Sequence, residues 1–171
     1  MALQQILVID EGTTSTRAML FDTSGKLKAS QQEALEQFYP KPGLVEHDAN
    51  EIWIKTLKCC KKMVEQAGGT EKIAAIGITN QRETIVAWDK RTGEPLCKAI
   101  VWQDRRTADK CEKLKSDGLE EMVQSKTGLL LDPYFSGSKI GWMLENWPEV
   151  RSAGDNLAFG TIESYLVYRL T

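Results

Sequence analysis

The chain has 171 residues, a net charge of −2, and 42% hydrophobic against 27% charged residues. That length suits one domain with its own core. The charge balance gives no bulk attraction to nucleic acid or an anionic membrane, and the lone histidine, His47, excludes a multi-histidine zinc site. No nucleophile elbow accompanies His47, so a serine triad is not supported, and no GxxxxGK[ST] loop occurs. Four cysteines, Cys59, Cys60, Cys97 and Cys111, lack CxxC spacing. They read as reduced thiols of a cytoplasmic protein. The opening MALQQILVID has no basic residue before its apolar run, which is too short for a signal peptide or a membrane span.

In chain order, QILVID (5–10) reads as a short buried strand and TRAMLFD (16–22) as its partner, with TSGK (23–26) a turn. LKASQQEALEQF (27–38) continues as a third strand of an antiparallel meander, although Ala, Glu and Gln are weak strand formers. YPKPGLVEHD (39–48), with two prolines and a glycine, reads as a loop. A helix follows, with Asp48 as N-cap and Glu51 three residues on in a capping-box arrangement. Its apolar positions are Trp53, Leu57, Cys60, Val64 and Ala67; Lys55, Lys58, Lys61 and Lys62 fall mostly opposite, and Gly68-Gly69 ends it. KIAAIGIT (72–79) reads as a fully buried strand with a parallel neighbour. TIVAWD (84–89) and KAIVW (98–102) are two more strands around the turn KRTGEP. Residues 105–127 read as two short helices split near Gly118, and 135–147 as a helix stopped before Pro148. LAFGTIESYLVYRLT (157–171) is a strand, then a helix opening near Thr161. The order β-β-β-α-β with additions describes an α/β domain with a mixed sheet.

Two constellations carry chemistry. The first is the hairpin DEGTTSTR. Backbone N–H groups in a tight turn can converge on an anion, Gly12 permits close approach or unusual backbone angles, and Thr13, Thr14 and Ser15 add hydroxyl donors. Arg17 offers a compensating positive charge. Asp10 at the strand end suits a magnesium ion held through water, which would place a cation between the carboxylate and a phosphate. The same residues also fit an ordinary hairpin whose Thr and Ser side chains satisfy turn backbone. The second constellation follows two apolar runs. ITNQRET (78–84) presents Asn80, Gln81, Arg82, Glu83 and Thr84, and VWQDRR (101–106) presents Trp102, Gln103 and Asp104. In α/β sheets, ligands lie beyond the carboxyl ends of strands. Arg82 can donate and Glu83 accept hydrogen bonds, and a tryptophan can cover a carbon skeleton, which suits a small, neutral, hydroxyl-rich substrate. The alternative is a surface Arg–Glu pair, worth under about 1 kcal/mol, beside a core tryptophan.

Several long segments together resemble the FGGY carbohydrate kinases, in order and over essentially the whole chain. They are DEGTTSTRAMLFD (10–22), YPKPGLVEHDANEIW (39–53), IAAIGITNQRET (73–84), AIVWQDRRTA (99–108), TGLLLDPYFSGSK (127–139) and FGTIESYLVYRLT (159–171). YFSGSKIGWM (134–143) is also similar to the family's first signature. Among the branches of the family, the glycerol-phosphorylating one is more similar than the pentulose or hexulose ones.

The resemblance implies an α/β fold of the ribonuclease H-like, actin-like ATPase type with a mixed β-sheet, here an N-terminal domain (1–171) incomplete at its C-terminus. It implies transfer of the γ-phosphoryl group of ATP to glycerol, giving sn-glycerol 3-phosphate, with magnesium. Thr13, Thr14, Ser15 and Arg17 would handle the nucleotide phosphates, Asp10 the metal, and Arg82, Glu83, Trp102 and Tyr134 the glycerol. The catalytic base would lie in a GDQ segment absent from this chain, along with a second domain, so the 171 residues alone are expected to be inactive. The complete protein would be a cytoplasmic homo-oligomer without nucleic-acid or membrane partners. Two other readings stay open: a non-catalytic polyol-binding or assembly module, and a kinase of the same family for another polyol. One residue departs from the family pattern: the hairpin reads Asp10-Glu11-Gly12 where the family has Asp-Gln-Gly. Alternation along a strand lets Glu11 face away from Asp10. If it faced the phosphate, nucleotide binding would weaken.

Overall fold

The computed structural model describes residues 4–171; the opening Met-Ala-Leu of the N-terminal stretch discussed above lies outside them. In chain order the elements are β1 (Gln5–Glu11), β2 (Ser15–Asp22), β3 (Leu27–Ala34), β4 (Glu46–His47), α1 (Ala49–Ala67), β5 (Ile73–Asn80), β6 (Ile85–Asp89), β7 (Ala99–Ile100), α2 (Ala108–Ser116), α3 (Glu120–Thr127), α4 (Ser136–Asn146), α5 (Pro148–Ser152), β8 (Leu157–Thr161) and α6 (Ile162–Leu170). They pack as two compact units, one holding residues up to Glu36 with 48–81 and 162–171, the other holding 37–47 and 82–161.

The first unit is a mixed sheet in the order β3-β2-β1-β5. The meander β1-β2-β3 is antiparallel, and β1 pairs in parallel with β5, as the apolar run of β5 predicts. Alternation sends Leu7, Ile9 and Glu11 of β1 and Thr16, Ala18 and Leu20 of β2 into the interior, where α1 covers them. Each fully buried leucine or isoleucine there contributes about 2 kcal/mol. Asp48 caps α1, its carboxylate accepting the N–H groups of Asn50 and Glu51, and Gly68 ends the helix in the left-handed conformation at φ 91°.

Four expectations for this unit need correction. Glu51 does not close a capping box; its carboxylate takes the N–H of Glu36 and the ammonium of Lys55. The buried seam of α1 runs through Ile52, Thr56, Cys59, Cys60 and Met63, while Trp53, Leu57, Val64 and Ala67 flank it half-buried. Periodicity located the helix but centred its face one residue late, because Thr56 is polar yet has its hydrogen-bond partners inside. The third strand stops at Ala34 rather than Phe38. Finally, β5 is not fully buried. It forms one border of the sheet, with Ala74, Ala75 and Ile76 exposed. A continuous apolar run sets strand type, but whether both faces are covered depends on what packs there.

The second unit has a wholly antiparallel sheet, β4-β7-β6-β8. Three of its strands fall on the expected strands at 84–89, 98–102 and the start of 157–171, but the sequence reading does not assemble them into a sheet of their own. The expected loop 39–48 contributes its strand β4, and a further short helix, α5, starts at Pro148 itself. Ile85, Ala87, Ile100, Met143 and Val150 form the core, with Trp142 and Trp147 packed against it. Asp104, grouped above with Trp102 as a ligand-facing residue, is instead buried beneath this layer. It accepts the N–H of Val45 at 2.7 Å and both the N–H and Nε of Arg106 at 2.8 and 2.9 Å. Arg106 also pairs with Glu46 at 2.7 Å and lies over the Trp142 ring at 4.7 Å. Among the described residues no helix is long and apolar enough to cross a membrane, and all four cysteines are free thiols.

Candidate functional site

The hairpin between β1 and β2 is tight. Gly12 donates its N–H to the carbonyl of Ser15 at 3.0 Å, and a Cβ on Gly12 would lie 3.2 Å from that oxygen. The glycine is therefore needed for close approach rather than for a left-handed backbone, which it does not adopt. Thr14 is exposed, and its carbonyl accepts the N–H of Leu35 at 2.9 Å. Asp10 stands directly opposite Arg17 across the β1-β2 ladder, so both side chains share the face away from α1. Arg17 Nε donates to Gln32 at 3.2 Å, and Gln32 Nε2 in turn donates to Ser15 Oγ at 2.9 Å. This chain of side chains holds Arg17 and Ser15 side by side on the open face. The Asp10 carboxylate takes part in no hydrogen bond or ion pair among the described residues. No cluster of three metal-ligating side chains occurs among them. A lone carboxylate still fits magnesium, which retains several waters and binds through one or two carboxylates and phosphate oxygens.

Glu11 points the other way. It is fully buried between β1 and α1. Its Oε1 meets the hydroxyls of Thr16 and Thr56, the latter at 2.5 Å, while Oε2 has no partner among the described residues. Burial pushes the carboxyl up to about 7; the two threonine hydroxyls pull down and Asp10 pushes up by smaller amounts. The proton count fits a neutral acid. Thr56 has a single hydroxyl proton and lies 2.7 Å from the carbonyl of Ile52. With Glu11 protonated, the acid donates to Thr56, and Thr56 donates to Ile52. Glu11, where the resemblance gives a glutamine, thus sits in the core beneath the hairpin, on the side opposite Asp10 and Arg17.

In the second unit the residues after β5 and β7 meet the loop before α4. Glu83 has φ 67°, the sole positive φ on a non-glycine among the described residues. Such a conformation costs on the order of 1 kcal/mol and concentrates at functional sites. Its Oε2 accepts both the N–H and the hydroxyl of Ser136, at 2.8 and 2.6 Å, where the positive end of α4 favours a carboxylate. Oε1 has no donor among the described residues. Arg82 is exposed and forms no ion pair with Glu83, so the alternative of a simple surface pair is not what forms. Trp102 is tied to this turn through its N–H, which donates to Thr84 Oγ1 at 3.2 Å. Its ring meets Tyr134 edge-on at 5.9 Å, and Tyr134 meets Phe135 at 5.1 Å. An aromatic corner, a free carboxylate oxygen and a free guanidinium therefore belong to one set of connected residues.

Sequence reasoning missed the support behind this corner. Lys139 on α4 is fully buried, and its ammonium donates to the carbonyls of Pro133, at 3.0 Å, and Tyr134. Burial lowers it to about 8, against the raising influence of Glu83, Asp104, Asp132 and Cys111. The available signal was a lysine inside an otherwise apolar helix, KIGWM, where a buried charge needs fixed acceptors. Asp132 adds a second restraint, accepting the N–H of Tyr134 at 2.8 Å.

Compared with known proteins, residues 5–171 match the FGGY family of carbohydrate kinases, N-terminal domain. The chain is 55% identical over 169 residues to a glycerol kinase of Rhizobium meliloti (strain 1021), covering 97% of this chain and 34% of that protein. To a glycerol kinase of Alcanivorax borkumensis it is 53% identical, with the same coverage. Among solved structures, Plasmodium falciparum glycerol kinase with ADP superposes with a TM-score of 0.91 at 34% identity, over 99% of this chain and 34% of that one. The chain spans about a third of the length of these relatives.

Proposed function

We propose that this chain, which belongs to the FGGY family of carbohydrate kinases, is the polyol-binding and phosphate-facing N-terminal part of an ATP-dependent glycerol kinase. The observation that carries the reading is the connected set of Glu83, Arg82, Trp102 and Tyr134, in a chain 55% identical to a glycerol kinase. Glu83 Oε1 would accept a glycerol hydroxyl while Arg82 donates to another, a pairing suited to a neutral triol. Trp102 would cover the carbon chain and Tyr134 close its edge. Thr13, Thr14, Ser15 and Arg17 would contact the phosphates of ATP, and Asp10 would hold magnesium. When bound, that ion would offset charge on the phosphate oxygens. The net reaction moves the γ-phosphoryl group from ATP to a terminal hydroxyl of glycerol, giving sn-glycerol 3-phosphate and ADP.

Such transfer rests on positioning and electrostatics from all sides of the phosphoryl group. The base that takes the hydroxyl proton belongs to none of the residues assigned here, so the 171 residues act as one partial kinase domain that does not turn over alone. The complete protein is proposed to work in the cytoplasm, where its free thiols stay reduced, as a homo-oligomer. The test is phosphate transfer from ATP by the full-length protein to glycerol, erythritol and pentuloses, alongside the isolated chain. Preference for glycerol with no turnover by the isolated chain is expected. Preference for another acceptor overturns the substrate, and steady turnover by the isolated chain overturns the claim that it is partial.

A further inference from the structure

We infer that Ser136 and Lys139, three residues apart in the first turn of α4, are positioning residues that preset the polyol-binding corner, Ser136 through Glu83 and Lys139 through the backbone of Tyr134. The inference rests on the glycerol reading above and concerns residues that touch no substrate themselves.

A carboxylate on a flexible side chain has no fixed direction. Here both donors of Ser136 converge on one oxygen, Oε2, which restrains the group and leaves Oε1 as its acceptor without a donor among the described residues. The same contact anchors a residue whose backbone sits at φ 67°, a conformation that persists only where neighbours determine it. One turn along, the Lys139 ammonium holds two successive carbonyls, Pro133 and Tyr134. A buried ammonium without acceptors is strongly unfavourable, so the lysine and the loop fix each other. The peptide on either side of the Tyr134 Cα is thereby held, from the carbonyl by Lys139 and from the N–H by Asp132. This restricts where the Tyr134 ring can stand against Trp102. The groups facing Lys139 are Glu83, Asp104, Asp132 and Cys111, so the lysine also lies in the field of the carboxylate that Ser136 orients. One helical turn thus joins the acceptor and the aromatic wall of the corner.

The experiment is steady-state kinetics of the full-length protein for glycerol and for MgATP, with thermal melting, on Ser136→Ala, Ser136→Thr, Lys139→Met and Glu83→Gln. Losing one hydrogen bond to a charged group predicts a glycerol KM about tenfold higher for Ser136→Ala, with the MgATP KM within about twofold. Ser136→Thr, which keeps both donors, returns the glycerol KM to within about twofold of wild type. Lys139→Met raises the glycerol KM likewise; where that variant fails to fold, the Ser136 pair carries the test. A wild-type glycerol KM in Ser136→Ala, while Glu83→Gln raises it about tenfold or more, overturns the inference and leaves the glycerol reading standing. Equal rises in both KM values with a lowered melting temperature also overturn it, since that is a general structural loss. An unchanged glycerol KM in Glu83→Gln overturns the glycerol reading itself.

Discussion

Glu11→Gln isolates the buried carboxyl beneath the hairpin. In the unfolded chain Glu11 releases its proton near 4.5, whereas in the fold it holds the proton up to about 7. Between those values the native state binds the extra proton. Stability is therefore complete below 4.5, declines as pH rises, and has lost its full amount above 7. A difference of about 2.5 at 1.36 kcal/mol per unit gives about 3 kcal/mol. Glutamine has nearly the same shape, can occupy the same place between Thr16 and Thr56, and does not titrate. The assay is urea unfolding of the chain and its Glu11→Gln variant from pH 4.5 to 8, read as the difference in unfolding free energy at each pH. Other titrating groups cancel in that difference. The variant should gain about 3 kcal/mol on wild type across the range, most of it between pH 5 and 7. A flat difference would refute the reasoning, because it would mean that Glu11 has the same affinity for its proton folded and unfolded.

Arg82→Ala is expected to raise the glycerol KM of the full-length protein by about tenfold or more, while the melting point of this exposed site barely moves; unchanged glycerol kinetics would remove Arg82 from the corner. Asp104→Ala should lower stability by about 3–5 kcal/mol in denaturant melts, since it strands the buried Arg106 guanidinium and the N–H of Val45. A loss below about 1 kcal/mol would show that Glu46 and the tryptophan rings suffice for Arg106. Asp10→Asn should cut kcat by about a hundredfold or more and leave calorimetric glycerol binding unchanged, and retained turnover would remove the metal role.

Much of the fold was legible because the signals were local. The meander follows from two apolar runs and their turns, α1 from Asp48 and Gly68, and the parallel β1-β5 pairing from the run at 73–78. What stayed hidden depended on contacts distant in sequence. Thr56 looks like an outward residue until Glu11, 45 positions earlier, is seen to meet its hydroxyl, and that contact moved the helix face. Asp104 has the same chemistry as a ligand-binding carboxylate, and only the nearness of Val45 and Arg106 makes it structural. Lys139 stands out in sequence only as a lysine among apolar neighbours, and its role is visible only with its two carbonyl acceptors.

Glu83 shows why the candidate site was half legible. The motif Arg82-Glu83 after a strand identifies a donor and an acceptor, but not which of the acceptor's oxygens is free. That is decided by Ser136, 53 residues on, and by a positive φ that no composition encodes. If Glu83 were merely capping α4, any carboxylate reaching Ser136 would serve and the backbone would have no reason to be strained. An aspartate or a relaxed loop would cap the helix at lower cost, since capping by a short acidic side chain is common. Here one oxygen satisfies the helix while the other has no donor among the described residues, on a residue next to Thr84, which holds the Trp102 backbone. The proposed polyol role of Glu83 uses that second oxygen, which a cap alone would not need. Replacing Glu83 by Gly, which adopts φ 67° without strain, should preserve the turn while abolishing polyol affinity.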